Sequence, residues 1–596
     1  MNNYMHRLLL TLWRKKSSVL AASLLVITLL LGLQYSYRVQ RQTRDALEAT
    51  KSSGSSGEVK REALDGSNLR VKDGKFKDHD ADRDRESERQ LGVPYVNLDP
   101  HNPYIPKSRL VHFDLKGAPP RIGYLKKVLS LVKNLGATGI LLEYEDMFPF
   151  QGPLKHIAAK NAYTRAEIKD FLEHTTALKL DVIPLVQTFG HVEFALKHKE
   201  FANIREVANS PQSLCPSRNG SMDFISEVVN QVLDLHPTSK YLHIGCDEVY
   251  QMGECELCRL ELHDTLFLRH IQNVANLVHE RHPSIRLIIW DDMLRHLSTQ
   301  SMLDIQLGLL VEPMIWVYAE DIYRFVQPQI WEKYSAVFST AWTASAFKGA
   351  FGETLYVPDA RRHLENNLRW LDVMSQQGRY FKNGFQGVVL TGWQRYDHFA
   401  VLCELLPAAI PSLALSLLAV SNGYFNASHK AALMSALSCP QYGRNTPFIN
   451  LDIDPHLWDK LGRCMFPGSP FFRVTYRLYS TENEVNDYIR STTKNKGWMT
   501  DYNVRRNYSL PLRVEELTAD LPRMHHGAIS VARSAIDSMQ NIFDNFTIME
   551  WVEQRVYPMI IELEKIQNQS LALKSQKYWA ARPLKPLMDL ERLGIT

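Results

Sequence analysis

The chain reads Tyr241-Leu-His-Ile-Gly-Cys-Asp-Glu-Val-Tyr250 near its middle, where a short β-rich run ends in two adjacent carboxylates. Asp247 and Glu248 follow a glycine and a small cysteine, and His243 lies four residues before Asp247. Adjacent acids repel each other, and a buried charge is costly unless it is paired or used. Packing therefore explains this pair poorly, although a strand that runs into a solvated loop is the simpler interpretation when the stretch is taken alone.

Seven further apolar runs of similar length surround this stretch. Helical periodicity separates several of them, at 122–135 and at 163–178, and the second helix begins with the capping box Thr164-Arg-Ala-Glu167. Eight alternations of strand and helix in about 300 residues predict an α/β fold, the (β/α)8 TIM barrel. The other seven runs cover residues 110–115, 139–146, 181–187, 286–292, 314–318, 336–342 and 387–393.

Polar and aromatic residues accumulate at the carboxyl ends of these predicted strands. The carboxyl ends of barrel strands are where the active sites of such folds lie. A purely structural barrel does not require this asymmetry. The pattern therefore predicts a catalytic site at the mouth, with the acids of the motif strand at its centre.

Composition excludes several classes of function. With 596 residues the chain exceeds one typical domain, and 45% hydrophobic residues can bury a large core. The net charge of +4 is small, and no basic patch is interleaved with aromatics, so we expect no nucleic-acid partner. No glycine-rich phosphate loop and no His-Glu-x-x-His spacing occurs, so we expect neither a cofactor nor a metal ion.

An uncharged run of 17 residues, at 17–33, lies near the amino terminus. Arg7, Arg14, Lys15 and Lys16 precede it, which favours a cytoplasmic tail over residues 1–16 and a transmembrane signal anchor over 17–34. A cleaved signal peptide is the rival interpretation, but the bulky residues at 34–38 do not form a cleavage site. We therefore expect a single-pass type II membrane protein whose remaining chain lies in the lumen of the secretory pathway, in the Golgi or a related compartment.

A low-complexity segment follows this run and is predicted to be a flexible stem over 35–100, because its mixed charges cannot bury enough apolar surface to fold. The catalytic barrel is expected over 101–430. Beyond it, helical periodicity at 514–521, 528–543 and 549–573 predicts a mainly helical region over 431–596. Five Asn-x-Ser/Thr sites permit a secretory location, at Asn219, Asn426, Asn507, Asn545 and Asn568.

The cysteine count is too low for a disulfide scaffold, with seven cysteines in the chain. Cys255-Glu-Leu-Cys258 has the spacing of a redox or zinc pair. No second pair of this kind lies nearby in the sequence, so a zinc site is disfavoured, and the two thiols either form a local disulfide or stay reduced.

Several motifs of the barrel region resemble those of a known family. His243-x-Gly-x-Asp247-Glu248 is similar to the signature of the family 20 β-N-acetylhexosaminidases, a family of glycoside hydrolases, and Gly190-His191 is similar to the Gly-His that follows their third strand. The stretches at 114–120, 345–349, 391–398 and 403–407 resemble the hexosaminidase D group. The resemblance covers about residues 105–430. One departure is Trp393-Gln-Arg395, which stands where lysosomal members carry Trp-x-Glu.

The resemblance implies an exo-β-N-acetylhexosaminidase that removes terminal β-linked GalNAc or GlcNAc with retention, and in which the 2-acetamido oxygen of the substrate is the nucleophile. Glu248 would be the general acid and base, and Asp247 would stabilise the oxazolinium. Tyr318 is the candidate for binding the acetamido oxygen, ahead of Tyr396. His243 is interpreted as a core histidine. The other candidates for sugar binding are Asp114, Lys116, Glu145, His191, Trp290, Trp316, Trp393 and Glu404.

The expected partners are a glycan with terminal N-acetylhexosamine and, through the amino-terminal helix, a membrane; a homodimer is left open. Two alternatives compete with the enzyme. A carbohydrate-binding pseudoenzyme displayed on a stem would have no need of the intact Asp247-Glu248 pair. A glycosyltransferase shares the anchor and stem, but it needs a nucleotide-sugar site that these motifs do not provide.

Overall fold

A computed structural model of the chain describes residues 92–440 and 449–594. The predicted anchor and most of the predicted stem lie outside the described residues. Eight parallel strands close into a barrel, which confirms the predicted (β/α)8 fold. In order around the barrel they are β1 (Ser108–Asp114), β10 (Phe385–Gly392), β9 (Ala341–Lys348), β8 (Val311–Trp316), β7 (Arg286–Trp290), β6 (Tyr241–His243), β3 (Asp181–Leu185) and β2 (Gly139–Glu143).

Helices follow most of the barrel strands and cover the outside of the barrel. The capping box at Thr164 is formed, because its hydroxyl accepts the Glu167 N–H while the Glu167 carboxylate accepts the Thr164 N–H. These helices are α1 (Ile122–Asn134), α2 (Arg165–Ala177), α3 (Glu193–Leu196), α4 (Ser221–Leu235), α5 (His263–Arg281), α6 (Thr299–Asp304), α7 (Leu307–Leu310), α8 (Pro328–Val337), α9 (Ala360–Gln377) and α10 (Leu406–Asn422).

The predicted seventh strand was placed wrongly. Residues 336–342 were expected to be extended, but Ala336 and Val337 form the last turn of α8, and the strand starts at Ala341. Periodicity alone cannot separate a short apolar run in a strand from a buried helix end. The true strand, Ala-Trp-Thr-Ala-Ser-Ala-Phe-Lys, is buried throughout although it contains hydroxyls. One of these is satisfied because the Ser345 Oγ donates to the Asn367 Oδ1 at 2.7 Å.

The inside of the barrel is a packed core below a mouth lined with aromatic residues. Side chains from seven of the strands fill it, and Trp316 and Trp393 pack on its upper edge. Because this core closes the barrel from below, anything that reaches the mouth enters from the carboxyl ends of the strands. The core consists of Leu110, Leu141, Ile183, Leu185, Ile288, Trp290, Met314, Trp342, Ala344 and Val389.

A two-stranded antiparallel hairpin, β4 (Arg205–Val207) and β5 (Ser210–Leu214), is inserted between β3 and α4 and was not predicted. It lies beside the loop that continues from β6. The Gln212 Nε2 donates to the main-chain oxygen of Glu248 at 2.9 Å, so the hairpin supports the acidic end of the motif strand.

The region after α10 is helical. Its predicted helix over 549–573 is in fact two helices, because Pro558 starts a new helix after Val556. A disulfide joins Cys439 to Cys464. The elements are α11 (Lys430–Ala436), α12 (Trp458–Leu461), α13 (Ser469–Arg490), α14 (Asp501–Arg506), α15 (Pro511–Thr518), α16 (Leu521–Met539), α17 (Asn545–Arg555) and α18 (Tyr557–Ser575).

The carboxyl-terminal helices contact the barrel at its mouth. The Arg395 Nη2 pairs with the Glu550 Oε1 on α17 at 2.6 Å. The main-chain N–H of Leu402 donates to the Gln554 Oε1 at 3.1 Å. In the described ranges no single helix has the length and apolarity of a membrane span, and only Leu406–Asn422 taken together with Ala427–Ala436, bent by 119°, meets those criteria.

Candidate active site

A pocket with a cavity volume of about 170 Å³ opens at the carboxyl ends of the barrel strands. Its acidic residues are Asp247 and Glu248, and apart from Gly349 and Ala350 the other side chains of its wall are aromatic, amide or cationic. Elements from most of the barrel contribute to it, as expected for a mouth site. The lining residues are Lys116, Gln187, His191, Asp247, Glu248, Trp290, Trp316, Tyr318, Gly349, Ala350, Trp393 and Tyr396.

The two acids lie on a contorted segment directly after β6. Gly245, Cys246 and Glu248 all have left-handed backbone conformations, with φ of 69°, 66° and 47°. For the two non-glycine residues this costs about 1–3 kcal/mol each, and such strain is typical of functional sites. A Cβ on Gly245 would overlap the Gln187 side chain, so the close approach of these two residues requires glycine. The strained backbone of this segment lowers stability, and it directs the side chains of Asp247 and Glu248 towards the pocket.

Hydrogen bonds hold both acids in place. The Gln187 Nε2 donates to the Asp247 Oδ1 at 3.0 Å, and Asp247 is buried. The main-chain N–H of Glu248 donates to the Asp292 Oδ2 at 2.8 Å. The Glu248 side chain keeps 34% of its surface exposed, so that it faces the open side of the pocket. Asp247 is thus fixed inside, whereas Glu248 is at the entrance.

His191 lies between the two acids. Its Nε2 is 3.2 Å from the Glu248 Oε2 and 3.8 Å from the Asp247 Oδ2. Burial opposes protonation of this imidazole, but the charge of Asp247 and the bond to Glu248 raise its pKa to about 10. His191 is therefore an imidazolium at neutral pH. Its hydrogen bond is the main cause that lowers the pKa of Glu248.

Asp247 has the opposite tendency. Burial raises the pKa of this carboxyl, the charge of His191 lowers it, and the charge of Glu248 raises it further. The net direction is upwards. The neighbouring acids therefore differ electrostatically because one is buried and the other is paired with a cation and partly solvated.

An aromatic wall faces the acids. The Trp393 Nε1 donates to the Tyr318 hydroxyl at 2.9 Å. The Trp316 Nε1 donates to the Asp292 Oδ1 at 3.0 Å, and Trp290 packs on His243 with ring centroids 4.4 Å apart. Two of the three indole N–H groups thus fix a ring through a hydrogen bond, and the wall is rigid.

Asp292 connects the acidic side of the pocket to this wall. Its two carboxylate oxygens accept from Glu248 and from Trp316. Burial and the charge of Asp247 raise its pKa to about 7. Both carboxylate oxygens of the adjacent Asp291 already accept hydrogen bonds within the protein, from Arg295 and from the Tyr334 hydroxyl.

Lys116 is the cation on the far side of the pocket. Its Nζ lies 3.2–3.3 Å from carboxylate oxygens of Asp114, Glu143 and Glu145. Burial lowers the pKa of this lysine, but the three charges raise it by more, so that the net pKa is well above the usual value. Asp114 and Glu145 are therefore behind Lys116, and neither lines the pocket.

Glu404 also lies behind the wall. It is fully buried, and its Oε2 accepts the main-chain N–H of Gly349 at 3.0 Å. Gly349 has a φ of 71°, and a Cβ there would overlap the main-chain oxygen of Trp393. Glu404 therefore shapes the segment at 349–350, which lines the pocket, without reaching the pocket itself.

The structure thus brings most of the predicted residues together. Of the candidates named from the sequence, Asp114, Glu145 and Glu404 do not line the pocket; they support residues that do. His243 is a buried core residue, because its Nδ1 accepts the Gly245 N–H at 3.0 Å and burial lowers its pKa to about 3. The candidates on the wall are Lys116, His191, Asp247, Glu248, Trp290, Trp316, Tyr318, Trp393 and Tyr396.

Sequence reasoning missed Gln187, Asp292 and Glu143. Gln187 and Asp292 each follow the end of a barrel strand by two residues, so that the position which drew attention to Asp247 would also have pointed to them. Glu143 ends β2 itself, two residues before Glu145, the acid that was predicted to bind sugar. No signal in a single sequence separates it from Glu145 and Asp146.

Two groups of side chains in the described ranges have the donors of a metal site. In the first, Glu145, Asp146 and His398, lysines already supply the positive charge. Lys116 contacts Glu145, and the Lys197 Nζ lies 2.6 Å from the His398 Nε2 and 3.4 Å from the Asp146 Oδ2. The second group lies outside the pocket and is described below.

The chain is similar to a known family of enzymes. The sequence profile of the glycosyl hydrolase family 20 catalytic domain matches residues 139–341. The chain is 38% identical to Hexosaminidase D from Homo sapiens over 488 residues, which cover 80% of this chain and 96% of that protein. The chain belongs to glycosyl hydrolase family 20. A second relative in the family, Hexosaminidase D from Bos taurus, is 45% identical over 336 residues, or 55% of this chain and 96% of that protein.

Solved family 20 structures are more distant. The Streptomyces plicatus N-acetyl-beta-hexosaminidase has a TM-score of 0.42 and 16% identity, and the match covers 61% of this chain and 70% of that one. A Flavobacterium johnsoniae chitobiase has a TM-score of 0.43 and 14% identity, with 79% and 73% covered. From the family profile and the two relatives, this family 20 chain is a glycoside hydrolase of the β-N-acetylhexosaminidase class.

Proposed function

We propose that the enzyme removes terminal β-linked N-acetylglucosamine and N-acetylgalactosamine from glycoconjugates with retention, and that the acetamido oxygen of the substrate is the nucleophile. One observation carries this proposal. The acids on the pocket wall are adjacent in the chain, Asp247 and Glu248, and the facing wall is aromatic. Ordinary retaining glycosidases need a second carboxylate about 5–5.5 Å across the scissile bond. With the facing wall occupied by rings, the substrate has to supply the nucleophile.

An exo mode of action follows from the closed end of the pocket. The packed core below the mouth stops a glycan from passing through the barrel. A substrate can therefore present only a terminal sugar to the acids, with the rest of the glycan directed to solvent.

Glu248 is suited to be the general acid and base. It lies at the entrance, where the leaving oxygen emerges, and it keeps contact with solvent from which the second-step water comes. In the free enzyme the imidazolium of His191 keeps it ionised. A bound sugar removes water from the partly exposed carboxyl, and this desolvation favours the protonated form that donates to the leaving group.

Asp247 is suited to hold the acetamido N–H and to stabilise the positive charge that develops on the oxazolinium ring. The bond from Gln187 is to Oδ1, so the second oxygen, Oδ2, which lies 3.8 Å from the His191 Nε2, is the one proposed to meet the acetamido N–H. A fixed carboxylate at a buried position acts on a developing charge with little reorganisation. Burial raises the pKa of Asp247, and the charge of the nearby imidazolium of His191 opposes that rise and so favours the ionised form that this role needs.

Tyr318 is the proposed partner of the acetamido oxygen. An indole N–H can only donate, so that the Tyr318 oxygen accepts the bond from Trp393, and the hydroxyl of Thr391 is its other hydrogen-bonding neighbour. A donated hydrogen bond would orient the acetamido oxygen for attack on the anomeric carbon. Trp290, Trp316 and Trp393 would then enclose the acetamido methyl group and the apolar face of the sugar.

The sugar hydroxyls require a different partner from the one that the resemblance suggests. Arg395 stands where lysosomal members have a glutamate, and here it is directed away from the pocket towards Glu550. Lys116 and Tyr396 line the pocket and can reach hydroxyl groups. We assign the hydroxyl contacts to these two residues, with Asp114, Glu143 and Glu145 holding Lys116 in place.

The test uses the full chain in detergent with aryl β-N-acetylglucosaminide and β-N-acetylgalactosaminide. We expect turnover of both, and a β-configured first product by NMR. Replacing the acetamido hydrogens with one, two and three fluorines makes the oxygen a poorer nucleophile, so kcat/KM should fall with each fluorine. An α-configured product, or rates that do not depend on fluorination, would exclude the substrate-assisted route. No turnover of either sugar would favour the pseudoenzyme.

We further propose that the catalytic region works in the lumen of the secretory pathway, held there by the anchor at 17–34. The disulfide between Cys439 and Cys464 supports an oxidising compartment. The sequon residue Asn219 is exposed, as are Asn545 and Asn568, so that the folded chain can carry glycans at these sites.

A further inference from the structure

The cysteine cluster, which comprises Glu206, Cys215, Cys255 and Cys258, lies outside the active-site pocket, between the β4–β5 hairpin and the loop that follows Glu248. All four side chains are buried, with at most 8% of each residue exposed. One ligand-type atom from each lies within 4.8 Å of the other three. The cluster joins two separate pieces of chain, because Glu206 and Cys215 come from the hairpin and the other two cysteines from the loop.

The distances in the cluster match those of a tetrahedral metal site. The Cys215 Sγ lies 3.5 Å from the Cys255 Sγ and 3.4 Å from the Cys258 Sγ. Zinc–sulfur bonds of about 2.3 Å at tetrahedral angles place two sulfurs about 3.8 Å apart. The sulfurs are thus a few tenths of an ångström from the spacing that a central ion requires. An ion would need only a small expansion of the cluster.

Glu206 is the fourth potential metal ligand of the cluster and its one carboxylate. Its Oε1 accepts the main-chain N–H groups of Glu254 and Cys255 at 2.7 and 2.9 Å. Its Oε2 is buried and receives no N–H or O–H hydrogen bond among the described residues; its hydrogen-bonding neighbours are the thiols of Cys215 and Cys258. A carboxylate oxygen that is left unsatisfied in the interior is costly, and a bound cation would remove that cost. The two main-chain bonds orient the carboxylate as an outer-shell partner orients a metal ligand.

A disulfide satisfies this cluster less well. Cys215 lies nearly equidistant from the sulfurs of Cys255 and Cys258 and is bonded to neither. One disulfide among the three cysteines would leave a single thiol as the cluster partner of the Glu206 carboxylate. A divalent ion uses all four groups, and three thiolates with one oxygen select zinc over magnesium or calcium.

We propose that Glu206, Cys215, Cys255 and Cys258 bind one structural zinc ion. The surroundings fit this assignment, because Ser217 contacts the Cys258 Sγ at 3.3 Å and also accepts from Arg269 at 3.2 Å, which brings a positive charge beside a site of net negative charge. The ion joins the hairpin that carries Gln212 to the loop that begins at Glu248. It fixes the active-site segment from behind without contacting the substrate.

The first experiment measures zinc in the full chain, purified in detergent without chelators, by plasma mass spectrometry. We expect about one zinc per chain. Cys215→Ser, Cys255→Ser and Cys258→Ser should lose it on dialysis against a weak chelator. Cys403→Ser, which alters a buried cysteine outside the cluster, should keep it. Glu206→Gln should weaken zinc affinity by roughly 10-fold or more, whereas Glu254→Gln in the same loop should not.

A second experiment uses the unaltered chain, because a variant that fails to fold also loses metal. Exchange of zinc for cobalt should give the visible bands of tetrahedral cobalt and thiolate charge-transfer absorption in the near ultraviolet. A mercurial reagent should release the zinc in proportion to the thiols that it modifies. The proposal is overturned if the chain holds no zinc, if zinc remains in the three cluster variants, or if peptide mapping finds two of these cysteines in a disulfide.

Discussion

Nε2 of His191 and Oε2 of Glu248 are 3.2 Å apart, and both groups are charged at neutral pH, because the pKa of His191 is raised to about 10 and that of Glu248 is lowered. A general acid has to carry a proton, yet this contact lowers the pKa of Glu248 in the free enzyme. The contact therefore sets the pH range in which Glu248 of the free enzyme carries its proton. Removing the positive charge of His191 should change that range.

His191→Asn should shift the pH dependence of kcat/KM. In the free wild-type enzyme Glu248 loses its proton at a pH below the usual glutamate range, so kcat/KM falls as the pH rises through that lowered pKa. Without the imidazolium the pKa of Glu248 rises, and the alkaline limb moves to higher pH. The pH profile of kcat/KM checks this, with His174→Asn on the outer helix α2 as the control. An unmoved limb would show that His191 does not tune Glu248.

Glu248→Gln and Asp247→Asn should differ in their dependence on the leaving group. Loss of proton transfer costs about 10²–10⁴-fold for a substrate with a poor leaving group, and far less for a nitrophenyl glycoside. The charge at the acetamido nitrogen develops with either substrate, so Asp247→Asn should slow both alike. Kinetics on an alkyl and a nitrophenyl glycoside give the comparison. Equal leaving-group dependence in both variants would contradict the assigned roles.

Tyr318→Phe should lower kcat by about 10²–10³-fold, because it removes a donor at the developing charge of the acetamido group. Tyr396→Phe is the comparison on the same wall; its hydroxyl accepts the Gly352 N–H at 2.8 Å and is assigned to a sugar hydroxyl, away from the developing charge, so its loss should cost less than about 10-fold. Steady-state kinetics on the N-acetyl substrates separate the two. A larger loss in the Tyr396 variant would reverse the assignment.

Asp292→Asn should change how stability depends on pH. The pKa of Asp292 is raised to about 7 in the folded chain, against about 3.9 unfolded, so the wild type loses stability as the pH rises from about 4 to about 7. The loss is on the order of 3 kcal/mol, and the variant should not show this component. Urea unfolding at pH 5 and 7.5 measures the difference. Asp537→Asn, at an exposed helix position, should keep the wild-type slope.

The proposed topology predicts a chain that stays in carbonate-washed membranes and whose barrel resists protease until detergent is added. Asn219 is exposed and should carry a glycan, so Asn219→Gln should increase gel mobility to the extent that endoglycosidase treatment does. Asn507→Gln should not, because the Asn507 amide donates to Gln576 at 2.7 Å. An unglycosylated chain in the cytosol would refute the location, and a secreted form without residues 1 to about 35 would indicate cleavage.

Much of the barrel could be predicted because its strands are short apolar runs with helical patterns between them. The error at 336–342 has a physical origin, since a buried helix end and a buried strand can have the same short run of apolar residues. The hairpin at 205–214 is short and polar, and nothing in its pattern distinguishes it from a loop.

The site was predictable where chemistry and strand position coincide, as at Asp247 and Glu248. It was not predictable where a residue acts through another. Lys116 forms ion pairs with three buried acids. To identify them among Asp114, Glu143, Glu145 and Asp146, one needs the distances of their carboxylates from the Lys116 ammonium group.

The cysteine cluster shows the same limit. The pair at 255 and 258 was visible in the sequence. Its third thiol and its carboxylate come from positions 215 and 206, which only the folding of the hairpin brings to the pair.

The contact between Arg395 and Glu550 has a consequence for where this enzyme can be cut. Arg395 lies two residues after Trp393 and pairs with Glu550 on helix α17. The main chain of Leu402 donates to Gln554 and accepts from Arg555 on the same helix, so α17 binds the loop at 393–404 near both of its ends. A fragment that ends at residue 430, where the catalytic pattern of the sequence stops, would keep every residue of the pocket and lose this brace. We therefore expect the smallest active unit to extend past the barrel, and substitutions in α17 to alter the pocket without touching it.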